Sequence, residues 1–254
     1  MKIEYLYKYR PINENTLDMV RNSELYFSSP FEFNDPFDCR PNFDMEGSLE
    51  DYVKLYKRII KNKNPQLTDK EIDDYTVKNM NIEIIKNKEM MEGFIKESIT
   101  LMMNTVRLFC LSEVNDDILM YSHYANNHKG VCLEFNLNEK DAEQVHKVNY
   151  QSKLPSISFV NDFGMDVNEF VKVCLLTKSE HWSYEKEHRF LNFLPKEKVV
   201  KFKKTFLTGI IFGCEVSEAD KLKIKNLVSK YGYEIKFYQA RKKKKEYGLD
   251  IINL

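Results

Sequence analysis

Val106-Arg-Leu-Phe-Cys-Leu-Ser112 reads as a strand, Asn115-Asp-Asp117 opens a helix through Ile118, Tyr121 and Tyr124, and Gly130-Val-Cys-Leu-Glu-Phe135 returns to strand. A single short helix, closed by Gly130, thus separates two apolar runs. The same punctuation holds on either side. Upstream, residues 3–9 alternate and are rich in Tyr, and Asn15 is the expected cap of a helix carrying Leu17, Met19 and Val20. Leu25-Tyr-Phe-Ser-Ser29 then forms a second strand that runs into Pro30. Downstream come a strand region at 145–150, a helix at 167–176, a buried strand at 207–213, a helix at 217–231 and strands at 233–238 and 249–252. Strands punctuated by single helices lack the strict alternation of a doubly wound parallel sheet. An α+β fold is expected, with a mixed or mostly antiparallel sheet and flanking helices.

One segment departs from this pattern. Between Ser48 and Met103 the apolar residues take helical period, with Leu49, Tyr52, Val53, Tyr56, Ile59 and Ile60 on one stripe. Thr68 followed by Glu71 has the spacing of a capping box. Residues 44–104 are therefore expected to be a helical insertion within a single domain spanning 1–254.

With 254 residues, 43% of them hydrophobic and 13% aromatic, the chain can bury a substantial core and does not have the composition of disorder. Thirty-nine basic residues balance thirty-nine acidic ones, so no long-range field favours nucleic acid or anionic lipid, and partners must be sought in local patches. Five cysteines without paired spacing suit reduced thiols. No signal-like start and no run of eighteen apolar residues is present, so a cytoplasmic protein without membrane contact is expected. The heavy use of Lys, Asn and Ile fits a bacterial source with an A- and T-rich genome.

The chemistry-bearing segment is Lys178-Ser-Glu-His-Trp-Ser-Tyr-Glu-Lys-Glu-His-Arg-Phe190. Read as one strand, it places Glu185, Glu187 and Arg189 on one face and Tyr184, Lys186 and His188 on the other. A strand polar on both faces is either an exposed, ion-paired edge or the wall of a site, and a helix turn with a Glu185–Arg189 pair is the other structural alternative. Two carboxylates on one face could divide tasks, one stabilising positive charge while the other polarises a hydroxyl. Arg10, leaving the first strand after Tyr9, offers a fork suited to phosphate, or a surface ion pair. Ser28 and Ser29 end the second strand, facing a ligand or capping the next turn. In Phe31-Glu-Phe-Asn-Asp-Pro-Phe-Asp38 the Asn, Asp and Pro order marks a loop, which three phenylalanines should pack down. The histidines, His123 among them, lack zinc spacing, and no metal site is expected. Arg241-Lys-Lys-Lys-Lys245 reads as a solvated hairpin tip, with a nucleic-acid phosphate contact as the alternative.

Together, Tyr7-Lys-Tyr-Arg10, Phe33-Asn-Asp-Pro-Phe-Asp38, Met120-Tyr-Ser-His-Tyr-Ala125, His128-Lys-Gly-Val-Cys-Leu-Glu-Phe135 and Trp182-Ser-Tyr-Glu-Lys-Glu-His-Arg189 resemble a bacterial family labelled domain of unknown function 2971. The chain has Tyr121 where such proteins usually have Trp. More loosely, an arginine on the first strand, serines on the second and a late Glu-x-Glu are similar to the Arg-Ser-Glu pattern of ADP-ribosyltransferases. That resemblance implies NAD as substrate, with Arg10 on a phosphate, Ser28 or Ser29 on the nicotinamide ribose, Glu187 as catalytic glutamate and Glu185 polarising an acceptor of unknown identity. Tyr9, Tyr26 or Trp182 would stack on the nicotinamide. The implied setting is a toxin or phage-defence effector. Two alternatives stand beside it: a non-catalytic module sensing a nucleotide with Arg10, Asn34, His123 and Glu187, and a defence protein acting on nucleic acid.

Overall fold

A computed structural model describes residues 5–80, 87–137, 143–162, 167–193 and 198–254. In chain order the strands are β1 (Leu6–Arg10), β2 (Glu24–Tyr26), β3 (Asn42–Asp44), β4 (Val106–Ser112), β5 (Val131–Phe135), β6 (Val145–Lys147) and β7 (Asn149–Gln151). They continue with β8 (Ser156–Ser158), β9 (Thr177–Ser179), β10 (Glu187–Phe193), β11 (Val199–Lys201), β12 (Leu207–Phe212), β13 (Lys236–Lys242) and β14 (Leu249–Asn253). The helices are α1 (Glu14–Asn22), α2 (Leu49–Lys63), α3 (Asp69–Asn79), α4 (Lys88–Met103), α5 (Ile118–Tyr124), α6 (Phe159–Asp162), α7 (Val167–Leu175) and α8 (Glu218–Lys230).

Eight strands form one sheet in the order β14-β13-β12-β5-β1-β4-β10-β6. Every neighbouring pair is antiparallel except β12 and β13, which are parallel and joined by α8 as a crossover. The fold is α+β with a mixed, mostly antiparallel sheet, as the strand order in the sequence indicated. Short pairs of β2 with β11, β3 with β8 and β7 with β9 flank it.

β5 is buried along its whole length, because both faces of the sheet are covered there. Leu6, Val131, Leu133, Phe135 and Ile210 pack with Leu17 and Val20 of α1 and Ile224 and Val228 of α8. Tyr9, Cys132 and Ile211 pack on the opposite face with Met120 and Tyr121 of α5 and with Ala125, which caps its C-terminus. A third cluster joins Val106, Leu108, Cys174 and Leu175, placing α7 beside β4.

The helix starts follow side-chain capping. Ser48 with Asp51 and Thr68 with Glu71 form capping boxes on α2 and α3, the second as its spacing indicated. The cap of α1 is Asn13, not Asn15: the Asn13 side chain accepts from the Thr16 amide at 3.1 Å, so the helix begins early enough to bury Thr16 and Leu17.

Two local features open the sheet. β1 and β4 pair only at Tyr7 and Ser112. Beyond that point Ser28 takes the place of β1 along β4, exchanging both backbone hydrogen bonds with Leu108 at 2.8 Å. β1 and β4 therefore part, leaving a gap in the middle of the sheet. Gly130 seals the other side of β1, since a Cβ there would lie 2.3 Å from the Arg10 carbonyl oxygen. Among the described residues, no helix is long and apolar enough to cross a membrane.

The segment from Lys178 to Phe190 is not one strand. β9 ends at Ser179, a 3-10 helix covers Glu180–Glu185, Lys186 turns the chain in the left-handed region (φ 42°), and β10 starts at Glu187. Ser179 caps the 3-10 helix through the His181 amide. Glu187 and Arg189 do share a strand face and His188 takes the other, but Glu185 reaches the same place from outside the strand.

Candidate functional site

A cavity of about 380 Å³ occupies the gap between β1 and β4. Lys8 and Arg10 of β1 line one wall, with Ser28 across the gap. The other wall combines Asn34 and Asp38 from the loop after β2, Met120, His123 and Tyr124 from α5, and Lys178, Glu185 and Glu187. Asp117 caps α5 through the Met120 amide at 2.9 Å, and i, i+3, i+4 spacing then turns Met120, His123 and Tyr124 to one side.

The floor of the acidic wall is a buried ionic network. Arg189, with no exposure, donates from Nε to Glu187 Oε1 at 2.8 Å, from Nη2 to both oxygens of Asp38 at 2.7 and 2.9 Å, and from Nη1 to the Leu175 carbonyl at 2.7 Å. The Lys178 ammonium donates to Glu185 at 2.6 Å and Glu187 at 3.0 Å, and stands 3.6 Å from Asp38. Tyr124 closes the network by donating to Glu185 Oε1 at 2.6 Å. Two turns make this convergence. Asp35 holds the loop by accepting from the Phe37 amide at 2.9 Å, and Cys39 sits in the left-handed region (φ 57°), a conformation that costs about 1 kcal/mol for a non-glycine residue. There Asp38 and the Cys39 thiol both reach Arg189, the sulfur at 3.1 Å.

These contacts divide the two glutamates. Burial alone would push the Glu187 carboxyl up, but Arg189 and Lys178 outweigh it and hold Glu187 well below the usual carboxylate range. Glu185 is shifted the other way, by burial and then by the Glu187 charge, against the partial relief given by Lys178. The counting explains the split: three carboxylates (Asp38, Glu185, Glu187) face two cations (Lys178, Arg189), so Glu185 is the surplus charge. Burial and Glu185 together raise the Tyr124 hydroxyl, which stays a proton donor.

Of the residues singled out in the sequence, Tyr9, Arg10, Ser28, Asn34, His123, Glu185 and Glu187 all line this cavity. Tyr9 is largely a core residue, its hydroxyl donating to the Val114 carbonyl at 2.9 Å and its ring edge-on to Tyr121. Ser29 does not line the cavity. It forms a capping box with Glu32 on the 3-10 helix Pro30–Glu32, the turn role open to it from the start. Trp182 also stands outside the lining, 5.1 Å from the Lys178 ammonium and edge-on to His123, whose Nδ1 pairs with the Tyr184 hydroxyl at 3.0 Å. Only Phe33 of the three loop phenylalanines packs, over Arg189 at 5.3 Å; Phe31 and Phe37 are exposed, and Asp35 and Asp38 do the holding instead. The basic run is not simply a hairpin tip, because β13 includes Arg241 and Lys242, while Lys242 pairs with Glu215 and Lys243 with Glu246.

Lys8, Lys178 and Tyr124 are the site residues that sequence reasoning passed over. The alternation Leu6-x-Lys8-x-Arg10 carried a signal for the first, since both cations share the face of a core leucine.

Residues 120–190 match the family model described as Protein of unknown function (DUF2971). The match supports the family resemblance read from the sequence. The matched residues include most of α5, Lys178, both glutamates and Arg189, which is most of the acidic wall, while Arg10, Ser28 and Asp38 lie before them. No curated protein and no solved structure matches the chain.

Proposed function

We propose that the cavity binds NAD and that the protein is an ADP-ribosyltransferase-like enzyme or NAD glycohydrolase. The supporting observation is the convergence of Arg10, Ser28, Glu185 and Glu187 on one cavity, although they span the chain from β1 to β10. Arg10 takes a phosphate with the guanidinium nitrogens that have no partner among the described residues, and the Ser28 hydroxyl contacts the nicotinamide ribose. Breaking the glycosidic bond releases neutral nicotinamide, which keeps the bonding electron pair, and leaves an oxocarbenium ion on the ribose. Glu187, held ionised, supplies fixed negative charge beside that ion. Glu185 receives the proton that water or an acceptor hydroxyl loses on attack, a task suited to a carboxylate whose affinity for protons is raised. NAD consumption of this kind suits a toxin or phage-defence effector.

A second assignment, a nucleotide sensor without turnover, has one observation in its favour. Both oxygens of Glu187 are engaged by Arg189 and Lys178, and the residue is only 4% exposed. Incubation with NAD, followed by chromatographic assay of nicotinamide and by thermal denaturation, separates the two. Nicotinamide release supports the enzyme, stabilisation without release supports the sensor, and neither effect contradicts both.

A further inference from the structure

The cations of the cavity fall into two kinds. Lys178 and Arg189 are surrounded by carboxylates, whereas Lys8 and Arg10 have no carboxylate partner among the described residues. The Lys8 ammonium donates to the Cys110 carbonyl at 2.7 Å and stands 4.9 Å over the Phe109 ring. Among the described residues Arg10 uses only Nε, toward the Thr16 hydroxyl at 3.3 Å, and its Nη fork has no partner. Burial lowers the proton affinity of both, and for Lys8 the Arg10 charge adds to the effect. Glu187 and Glu185 offset part of this for Lys8 from a distance, but two half-buried like charges with no carboxylate in direct contact are unfavourable unless an anion joins them. Lys8 and Arg10 are two residues apart on β1, roughly 7 Å along the strand and on the same strand face, with Arg10 reaching Thr16 of α1 and Lys8 reaching β4. Ser28 faces the same gap, with a hydroxyl that bonds to no described residue.

We infer that Lys8 and Arg10 together form a diphosphate site in the gap between β1 and β4, so that the cavity selects nucleotides carrying a diphosphate over those carrying a monophosphate. Arg10 engages one phosphate through its planar fork and Lys8 neutralises the second as a point charge. The carboxylate surplus at Glu185 lies on the opposite wall, so the anionic part of a ligand is confined to the β1 side. The inference rests on the nucleotide assignment of the cavity but not on turnover, so loss of NAD cleavage with diphosphate selectivity intact would remove the enzyme alone.

Isothermal titration of the full chain with ADP, AMP and inorganic pyrophosphate tests it. The wild type should bind ADP more tightly than AMP. Lys8→Met should weaken ADP and pyrophosphate by about tenfold or more, AMP by less than about threefold, and Lys8→Arg should restore most of the loss. The melting temperature of Lys8→Met should be no lower than that of the wild type, because the burial cost of a charge with no carboxylate in direct contact is removed. Equal losses for ADP and AMP, a wild type that does not prefer ADP, or no binding of either would overturn the proposal.

Discussion

Nη2 of Arg189 donates to both carboxylate oxygens of Asp38, 151 residues away in the chain, at 2.7 and 2.9 Å. This contact joins the Asn-Asp-Pro-Phe-Asp loop to the Glu-x-Glu-x-Arg strand, so the two sequence signatures are one structural unit. Breaking one side of a buried ion pair strands its partner and costs about 3–5 kcal/mol. Asp38→Asn and Arg189→Met should each lose stability of that order in urea denaturation. Arg189→Lys should not rescue it, since one ammonium cannot serve Asp38, Glu187, the Leu175 carbonyl and the Cys39 thiol together.

The two glutamates predict opposite pH dependences. Glu187 has a folded value below the unfolded value of about 4.3, so its contribution is present above that pH and is lost as pH falls through the folded value. Glu185 has a folded value above the unfolded one, so the folded state holds more protons and stability falls as pH rises from about 4.3 toward the folded value. Denaturation across this range should show the advantage of wild type over Glu187→Gln shrinking in acid. Glu185→Gln should instead gain on the wild type as pH rises.

Ser28 and Ser29 separate binding from stability. Ser29→Ala removes a side-chain cap and should cost about 1 kcal/mol with little effect on ligand affinity. Ser28→Ala should leave the melting temperature unchanged and weaken NAD binding, as read by titration.

Gly130 fixes the position of Arg10. A Cβ would meet two backbone oxygens, Arg10 at 2.3 Å and Ala125 at 2.8 Å, and neither can rotate away as a side chain could. Gly130→Ala should destabilise by about 3 kcal/mol, at the upper end of overpacking costs. Any folded Gly130→Ala protein should also bind ADP less tightly than the wild type.

The regular elements were the legible part of the sequence. β4 and β5 lie where their apolar runs put them, and α5 ends before the turn that Gly130 completes, because strong local periodicity and tertiary burial agree there. The stretch from Glu180 to Glu185 misled because a short polar segment has no period to distinguish a 3-10 turn from a strand. The Asp38–Arg189 pair and the parting of β1 from β4 depend on residues distant in sequence and leave no local trace. Apart from the alternation around Lys8, nothing local in the sequence separates Lys8 and Lys178 from solvated lysines; only their distant partners, the Cys110 carbonyl for one and the two glutamates for the other, reveal what each does.

The central claim is most directly tested by the rate of nicotinamide release from NAD, compared between the wild type and Glu187→Gln, each first shown to be folded. Release by the wild type, reduced by about a hundredfold or more in the variant, is the expected result. Equal release by both proteins, or none by a wild type that also binds no NAD, would contradict it.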